Sequence, residues 1–122
     1  MRAYVALLMV MACSTGVLAA EIRKGALMQV KGNSMWFLEA GHLTQWQKLK
    51  KSGDAAALSS YEEQVRKERD AWQFLNPLTV KVLGYNPATR QANVEMKTEG
   101  RMLGTEWFLD AGTLMQKRNA RQ

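Results

Sequence analysis

Very few side chains in this sequence could carry covalent or metal-dependent chemistry. Cys13 is the only cysteine and His42 is the only histidine among 122 residues. A transition-metal site needs several cysteine, histidine or carboxylate ligands at suitable spacing, whereas a lone histidine before a predicted helix is typical of a surface or capping residue. We therefore expect no metal site and no bound cofactor.

The other sequence patterns that indicate catalysis are also missing. No serine lies in a Gly-x-Ser-x-Gly turn, which would present its hydroxyl as a nucleophile. Gly100 and Gly104 are not followed by the lysine and helix of a phosphate-binding loop. Glu62 and Glu63 are neighbours on a predicted helix and point about 100° apart, so they cannot act on one substrate. We expect that the protein is not an enzyme.

Aromatic residues are the strongest sign of a binding surface. Two adjacent pairs, Trp36–Phe37 and Trp107–Phe108, fall in predicted strands, where neighbouring side chains face opposite sides of the sheet. One member of each pair must therefore leave the interior. In one interpretation these outer rings pack against Trp46 and Trp72 as a second small core; in the other they form an exposed groove for a partner. The candidate partner-binding residues are Trp36, Phe37, Tyr85, Arg101 and Trp107.

Residues 40–75 have the periodicity of two helices. Leu43 and Trp46 recur at helical spacing, and Gly53 follows where a helix commonly ends. Asp54 can cap a second helix, which we expect to continue to Asn76 because the following proline disfavours a helical residue before it. The apolar stripe of this second helix consists of Leu58, Tyr61, Val65 and Trp72. Two helices joined by this short turn would form a helical hairpin.

The segments on both sides of the hairpin alternate apolar and polar residues, which is the period of a half-buried strand. We predict strands over residues 26–31, 35–38, 78–83, 92–97, 102–109 and 113–116, with a single 3₁₀ turn at 110–112. Consecutive short strands form an antiparallel meander, and small sheets of this kind protect their edges by curling toward a barrel. The predicted fold class is therefore α+β: a small antiparallel barrel or curled meander with an inserted helical hairpin.

The run from Gly100 to Leu114, which contains Gly104 and Trp107, resembles the later strands of a bacterial SH3-like barrel. It is similar to the glycine turn, the tryptophan strand, the single 3₁₀ turn and the closing strand of that fold. Residues 26–38 would supply the first strand and the loop after it, and the helical hairpin at about 40–75 would be an insertion. The resemblance implies one SH3-like domain over residues 21–122 that binds or docks a partner, and it brings no catalytic residues.

Residues 1–20 have the three parts of a secretory signal peptide. Arg2 supplies the positive start, residues 3–12 are apolar, and small residues lead to Ala20. The apolar run is shorter than the roughly 20 residues that a bilayer-spanning helix needs. The alternative is a bacterial lipobox at residues 10–13, which would place a lipid on Cys13 and anchor the protein to a membrane.

Export and charge together limit the classes of partner. Removing Arg2 with the signal peptide lowers the formal net charge from +6 by one unit. A periplasmic or secreted protein does not meet nucleic acid, so the basic balance indicates an envelope component or serves solubility alone. We expect an exported interaction module that binds an envelope protein, as an inhibitor, immunity-type or accessory protein. The alternative is a protein that binds the cell-wall polymer peptidoglycan. Membrane association is expected only if Cys13 is lipidated.

Overall fold

The computed structural model describes residues 22–116 and has an α+β fold, as predicted. The predicted signal peptide and Cys13 lie outside the described residues. The strands are β1 (Leu27–Val30), β2 (Met35–Phe37), β3 (Ala71–Gln73), β4 (Leu78–Asn86), β5 (Gln91–Met96), β6 (Glu106–Asp110) and β7 (Leu114–Gln116). The helices are α1 (Ala40–Ser52) and α2 (Ala55–Lys67), and a 3₁₀ helix (Ala111–Thr113) separates β6 from β7.

All seven strands belong to one antiparallel sheet in the order β3-β2-β6-β5-β4-β1-β7. Strands lie about 4.8 Å apart, so a flat sheet of this size would be roughly 30 Å wide. Side chains from both ends of the sheet nevertheless share one core, in which Trp36 of β2 joins Leu114 of β7. The sheet must therefore be strongly curled. It is not a closed barrel, because β3 and β7 remain its two edges in the described part of the chain.

The main core lies on the inner face of this curled sheet. Its residues in β4 and β5 are the apolar members of the alternation predicted from the sequence. Ala92, Val94 and Met96 of β5 are all buried, and the residues between them are half-buried. Val80 and Val82 of β4 are buried beside them. The register between β4 and β5 shifts between Val82 and Gly84. Such a bulge bends a strand and increases its twist, which favours curling of the sheet.

A helical hairpin, formed by α1 and α2, covers the outer face of β2, β3 and β6. Its contact with the sheet is a second core, in which Phe37 and Trp46 lie with ring centroids 6.0 Å apart. The buried residues of this second core are Met35, Phe37, Leu43, Trp46, Val65 and Ala71. The Trp46 Nε1–H donates a 2.8 Å hydrogen bond to Glu62, which ties the two helices together. In the part of the chain that the structure describes, no helix is long and apolar enough to cross a bilayer.

The turn between the two helices has the predicted caps. Gly53 follows the last residue of α1 with a φ of 80°, a left-handed conformation that glycine adopts without strain. The side chain of Asp54 accepts a 3.0 Å hydrogen bond from the backbone N–H of Ala57, which satisfies one of the unpaired donors at the start of α2. These expectations are confirmed.

The predicted end of the second helix is wrong. Helix α2 stops at Lys67 instead of continuing to Asn76, and Trp72 lies on β3 instead of a helical stripe. The backbone N–H of Asp70 donates to the carbonyl of Val65, and that of Arg69 donates to Arg66. Together with the positive φ of 62° at Arg69, these two bonds form a Schellman motif, which ends a helix.

The strand predicted to begin at Met102 begins instead at Glu106. The preceding residues form a turn in which Gly100 and Gly104 have φ values of 141° and 86°. The backbone N–H of Gly104 donates to the carbonyl of Met96, which closes this turn against the end of β5. The strand prediction is therefore wrong for residues 102–105, because the two positive φ values interrupt an extended chain.

Candidate functional site

Three of the five candidate partner-binding residues lie inside the protein. Trp36, Phe37 and Trp107 are only 1%, 0% and 1% exposed. Trp36 and Trp107 pack edge to face in the main core, with ring centroids 5.8 Å apart, while Phe37 belongs to the second core. The curled sheet and the hairpin bury both members of the Trp36–Phe37 pair, one on each face. A surface groove therefore cannot be built from these three side chains.

The remaining tryptophans divide between the two cores. Trp46 packs against Phe37 in the second core, which is the arrangement of the alternative to the groove. Trp72 is half-buried and instead joins the main core, where its ring lies 5.5 Å from that of Trp107. Phe74 adds a further edge contact to Trp107 at 6.1 Å. Most of these aromatic side chains therefore pack in or against the two cores.

The other two candidates, Tyr85 and Arg101, are accessible in part but are not brought together. Tyr85 is half-buried on β4, opposite Ala92 near the start of β5. Its hydroxyl oxygen is buried and has no hydrogen-bond partner among the described residues. Arg101 is exposed in the turn that follows the other end of β5. The length of β5 separates them, so they do not form one site.

A different surface feature combines cations, hydrogen-bonding groups and a cavity. A cleft of about 350 Å³ lies between the second half of α1 and the loop that joins β4 to β5. We call it the basic cleft, and its lining residues are Trp46, Gln47, Lys50, Lys51, Ala88, Thr89, Arg90 and Asp110. Three of these residues are cationic and one is acidic.

A hydrogen-bond network fixes the floor of the basic cleft. The Gln47 amide donates to Asp110 Oδ1 at 2.7 Å and to the carbonyl of Arg90 at 3.3 Å. The backbone N–H of Gly112 donates to the other Asp110 oxygen at 2.8 Å. The amide of Gln91 donates to Gln47 Oε1 at 3.1 Å. Both carboxylate oxygens of Asp110 are therefore engaged by neutral donors, and α1 is tied to the sheet at this point.

The cations of the cleft are exposed, and the structure describes no ion pair for them. Lys50 Nζ lies 4.8 Å from the centre of the Trp46 ring, a cation–π contact that keeps the ammonium group at the wall. Arg90 has a φ of 57°, and its carbonyl also accepts from the N–H of Ala111. Within residues 22–116, neither Lys50, Lys51 nor Arg90 forms an ion pair. The cleft is therefore a site of unbalanced positive charge.

The single histidine, His42, contacts residues from other parts of the fold. The carbonyl of His42 accepts a 3.2 Å hydrogen bond from the hydroxyl of Tyr61, and its Nε2 lies 3.8 Å from an Asp70 oxygen. Burial, followed by the carboxylates of Asp70 and Glu68, raises the pKa of Tyr61 above its ordinary value. The hydroxyl therefore stays protonated and continues to donate at any ordinary pH.

The chemistry that the basic cleft offers is binding of an anion. Its ammonium and guanidinium groups are strong donors to carboxylates. Among residues 22–116 there is no group of three metal-ligating side chains. Sequence reasoning missed this cleft, although the Lys50–Lys51 pair in the last turn of α1 was a readable signal. The geometry of the cleft is the basis for its assignment: no protein-family model, curated protein or solved structure matches the chain.

Proposed function

We propose that the protein is an exported, non-catalytic binding module that holds an acidic segment of an envelope protein in its basic cleft. It would act as an inhibitor, an immunity-type protein or an accessory subunit of that partner. The observation that carries this proposal is the set of three cations around a cavity whose one carboxylate among residues 22–116, that of Asp110, is already occupied by neutral donors. A carboxylate from a partner would supply the missing negative charge.

The strength of such binding depends on how far the charges are removed from water. Charged contacts at the rim of an interface mainly speed association and are screened by salt, whereas contacts inside a cavity hold the partner longer. Lys50 and Arg90 line the cavity but are exposed, and the formal net charge, which is +6 for the whole sequence and one unit lower without the leader, extends the attraction beyond the contact surface. We therefore expect binding that weakens as the salt concentration rises.

We also propose that the curled sheet is a variant of the SH3-like barrel. The support is the meander β4–β5–β6, followed by one 3₁₀ turn and by β7, which pairs back on β1. The helical hairpin would then be an insertion between the first strand and the meander. In such a domain, loops and insertions around a rigid sheet carry the binding residues, and the basic cleft lies between the hairpin and one such loop.

Removing two cations from the cleft should abolish capture of the partner. We expect the double variant Lys50→Gln, Lys51→Gln to lose about tenfold or more in affinity, because two charge-assisted contacts are lost. The measurement is affinity purification of the tagged protein from periplasm, followed by titration of the recovered partner. Lys48→Gln is the matched control, since Lys48 is exposed on the same helix but does not line the cleft.

The proposal requires that an acidic partner be recovered by the unmodified protein and by Lys48→Gln but not by the double variant. Recovery of no partner, or equal recovery by all three proteins, would contradict it. Circular dichroism of each variant excludes loss of the fold, and none is expected because both lysines are exposed.

Peptidoglycan is the second candidate ligand, and the same cleft favours it through a specific observation. The exposed hydroxyl group of Thr89 lines the cleft beside the cations, which suits a polymer that carries both hydroxyl groups and carboxylates. The same three proteins are therefore tested for retention on purified peptidoglycan over a range of salt. Retention by the unmodified protein that the double variant loses would make the wall polymer the ligand in place of an envelope protein.

Export itself is tested by the mass of the secreted protein. If the leader is cut as an ordinary signal peptide, the mature chain begins near Glu21 and Cys13→Ser leaves both release and mass unchanged. We expect this result from intact-mass measurement of the periplasmic fraction. A chain that begins at Cys13, carries added lipid mass and fractionates with membranes would instead establish the lipoprotein alternative.

A further inference from the structure

Strand β3 is the edge of the sheet on the side of the helical hairpin, and it pairs only with β2 in the described residues. The backbone N–H of Leu38 donates to the carbonyl of Asp70, and Trp72 is the next hydrogen-bonded position along this antiparallel pair. In an antiparallel pair, residues whose backbone N–H and C=O groups bond to the partner strand alternate with residues whose groups point away from it. The N–H and C=O groups of Ala71 and Gln73 therefore point outward, away from the sheet.

Two arginines stand beside these outward-pointing groups. A cavity of about 490 Å³ follows the edge and is lined by Arg66, Arg69, Ala71, Trp72 and Gln73. Arg66 Nη1 donates to Gln73 Oε1 at 2.9 Å, so that its guanidinium group is held against the strand. The backbone of Arg69 is fixed by the hydrogen bonds that end α2, and its side chain lines the cavity. Neither arginine forms an ion pair within the described range.

The two faces of this edge differ in chemistry. Ala71 and Gln73 face α2 and the arginines, whereas Trp72 faces the main core and is half-buried. In a strand added along the edge, side chains would alternate in the same way, because neighbouring strands keep their faces in register. The side chains on the α2 side would meet the guanidinium groups, and those between them would meet the indole of Trp72. The edge therefore fits a segment in which acidic residues alternate with apolar ones.

We propose that β3 is a docking site for an extended segment of a partner protein, in which acidic and apolar residues alternate, and that this segment adds to the sheet as an eighth strand. Backbone hydrogen bonds to Ala71 and Gln73 supply affinity, and the arginines and Trp72 supply selectivity. A second copy of this chain does not fit, because two paired β3 edges would bring four guanidinium groups into a very short interface.

This site is separate from the basic cleft. Lys50 and Lys51 lie in the last turn of α1, whereas Arg66 lies in the last turn of α2. These turns are at opposite ends of an antiparallel helical hairpin, so the two surfaces can be altered one at a time. The proposal does not depend on the function assigned to the basic cleft, and either can fail alone.

The test uses the full mature chain and a synthetic nonapeptide, acetylated and amidated, in which glutamate alternates with valine. We expect the peptide to bind and to slow hydrogen exchange of the Ala71 and Gln73 amides, measured by NMR. A second peptide carries N-methyl groups on alternate residues, which removes the donors of one edge but keeps the charge. It should bind at least about tenfold more weakly, since the backbone bonds are lost. Equal binding of the methylated peptide, or unchanged exchange at both amides, would overturn strand addition.

Variants of the protein test the selectivity. Arg66→Gln combined with Arg69→Asn removes both charges, while glutamine keeps a helix-compatible polar side chain at position 66 and asparagine tolerates the left-handed backbone at position 69. This double variant should bind the glutamate peptide about tenfold more weakly, and Lys50→Gln, Lys51→Gln should bind it unchanged. A lysine–valine peptide should not bind. Binding of the lysine peptide, an unchanged affinity in the arginine variant, or dimerisation of the chain through this edge would each refute the proposal.

Discussion

Replacing Trp107 with alanine should lower the free energy of unfolding by about 3–5 kcal/mol, the cost expected for removing a large buried aromatic side chain. Its ring is 1% exposed and contacts three other rings in the main core, those of Trp36, Trp72 and Phe74. Its Nε1–H also donates a 2.7 Å hydrogen bond to Thr105. Small domains have a total stability of about 5–15 kcal/mol, so the loss should be visible in a urea titration.

Two further variants show which part of Trp107 matters. Trp107→Phe keeps a ring against its three neighbours and should cost less than the alanine variant, because most of the volume is retained. Leu27→Ala is the surface control, since Leu27 is half exposed on β1 and should change stability by no more than about 1 kcal/mol. A loss below about 1 kcal/mol in Trp107→Ala would show that the aromatic cluster does not stabilise the fold.

Phe37→Ala should have an effect of similar size, about 3–5 kcal/mol, but for a different reason. Phe37 is completely buried in the second core, and on β2 it lies opposite Ala71 of β3 and Phe108 of β6. Its ring also packs on Trp46 of α1. Removing it leaves a cavity between the hairpin and the sheet. We therefore expect hydrogen exchange in α1 and α2 to accelerate more than exchange in β5.

The neighbouring residue provides the control for this variant. Leu38 is 41% exposed, and Leu38→Ala should leave both stability and helix exchange nearly unchanged. If Phe37→Ala accelerates exchange in α1, α2 and β5 equally, the two cores do not open separately. The hairpin would then be an integral part of the single cooperative unit.

The elements that follow a regular period could be predicted from the sequence. The alternation of Ala92, Val94 and Met96 identified both β5 and its buried face, and Gly53 and Asp54 located the turn between the helices. These signals are local, because each depends on neighbouring residues and on backbone preferences that need no tertiary contact. The fold class could therefore be predicted from the hydrophobic period of the strands and helices and from the helix caps.

The predictions that failed concern features that depend on contacts or on backbone geometry that the sequence does not display. The Schellman motif that ends α2 has Arg69 at the position where glycine is usual, so the helix was extended to the next recognisable stop, the proline after Asn76. The basic cleft could not be predicted as a unit, because the hydrogen bond from Gln47 to Asp110 joins residues 63 positions apart. Burial of Trp36 and Phe37 on opposite faces depended on where the hairpin packs, which is also a long-range matter.

The hydrogen bond from Leu38 to Asp70, 3.1 Å long, means that the chain enters and leaves the helical hairpin at one point. Strands β2 and β3 are therefore the two arms of a ribbon, and both helices are its loop. Closing a long loop costs entropy that grows with the logarithm of its length. Once the helices and the ribbon form through contacts near in sequence, the ends of β1 and β4 are separated only by short connections. The helical hairpin thus lengthens the chain between β1 and β4 while adding little to the entropic cost of pairing them, which explains in physical terms how so small a sheet accommodates it.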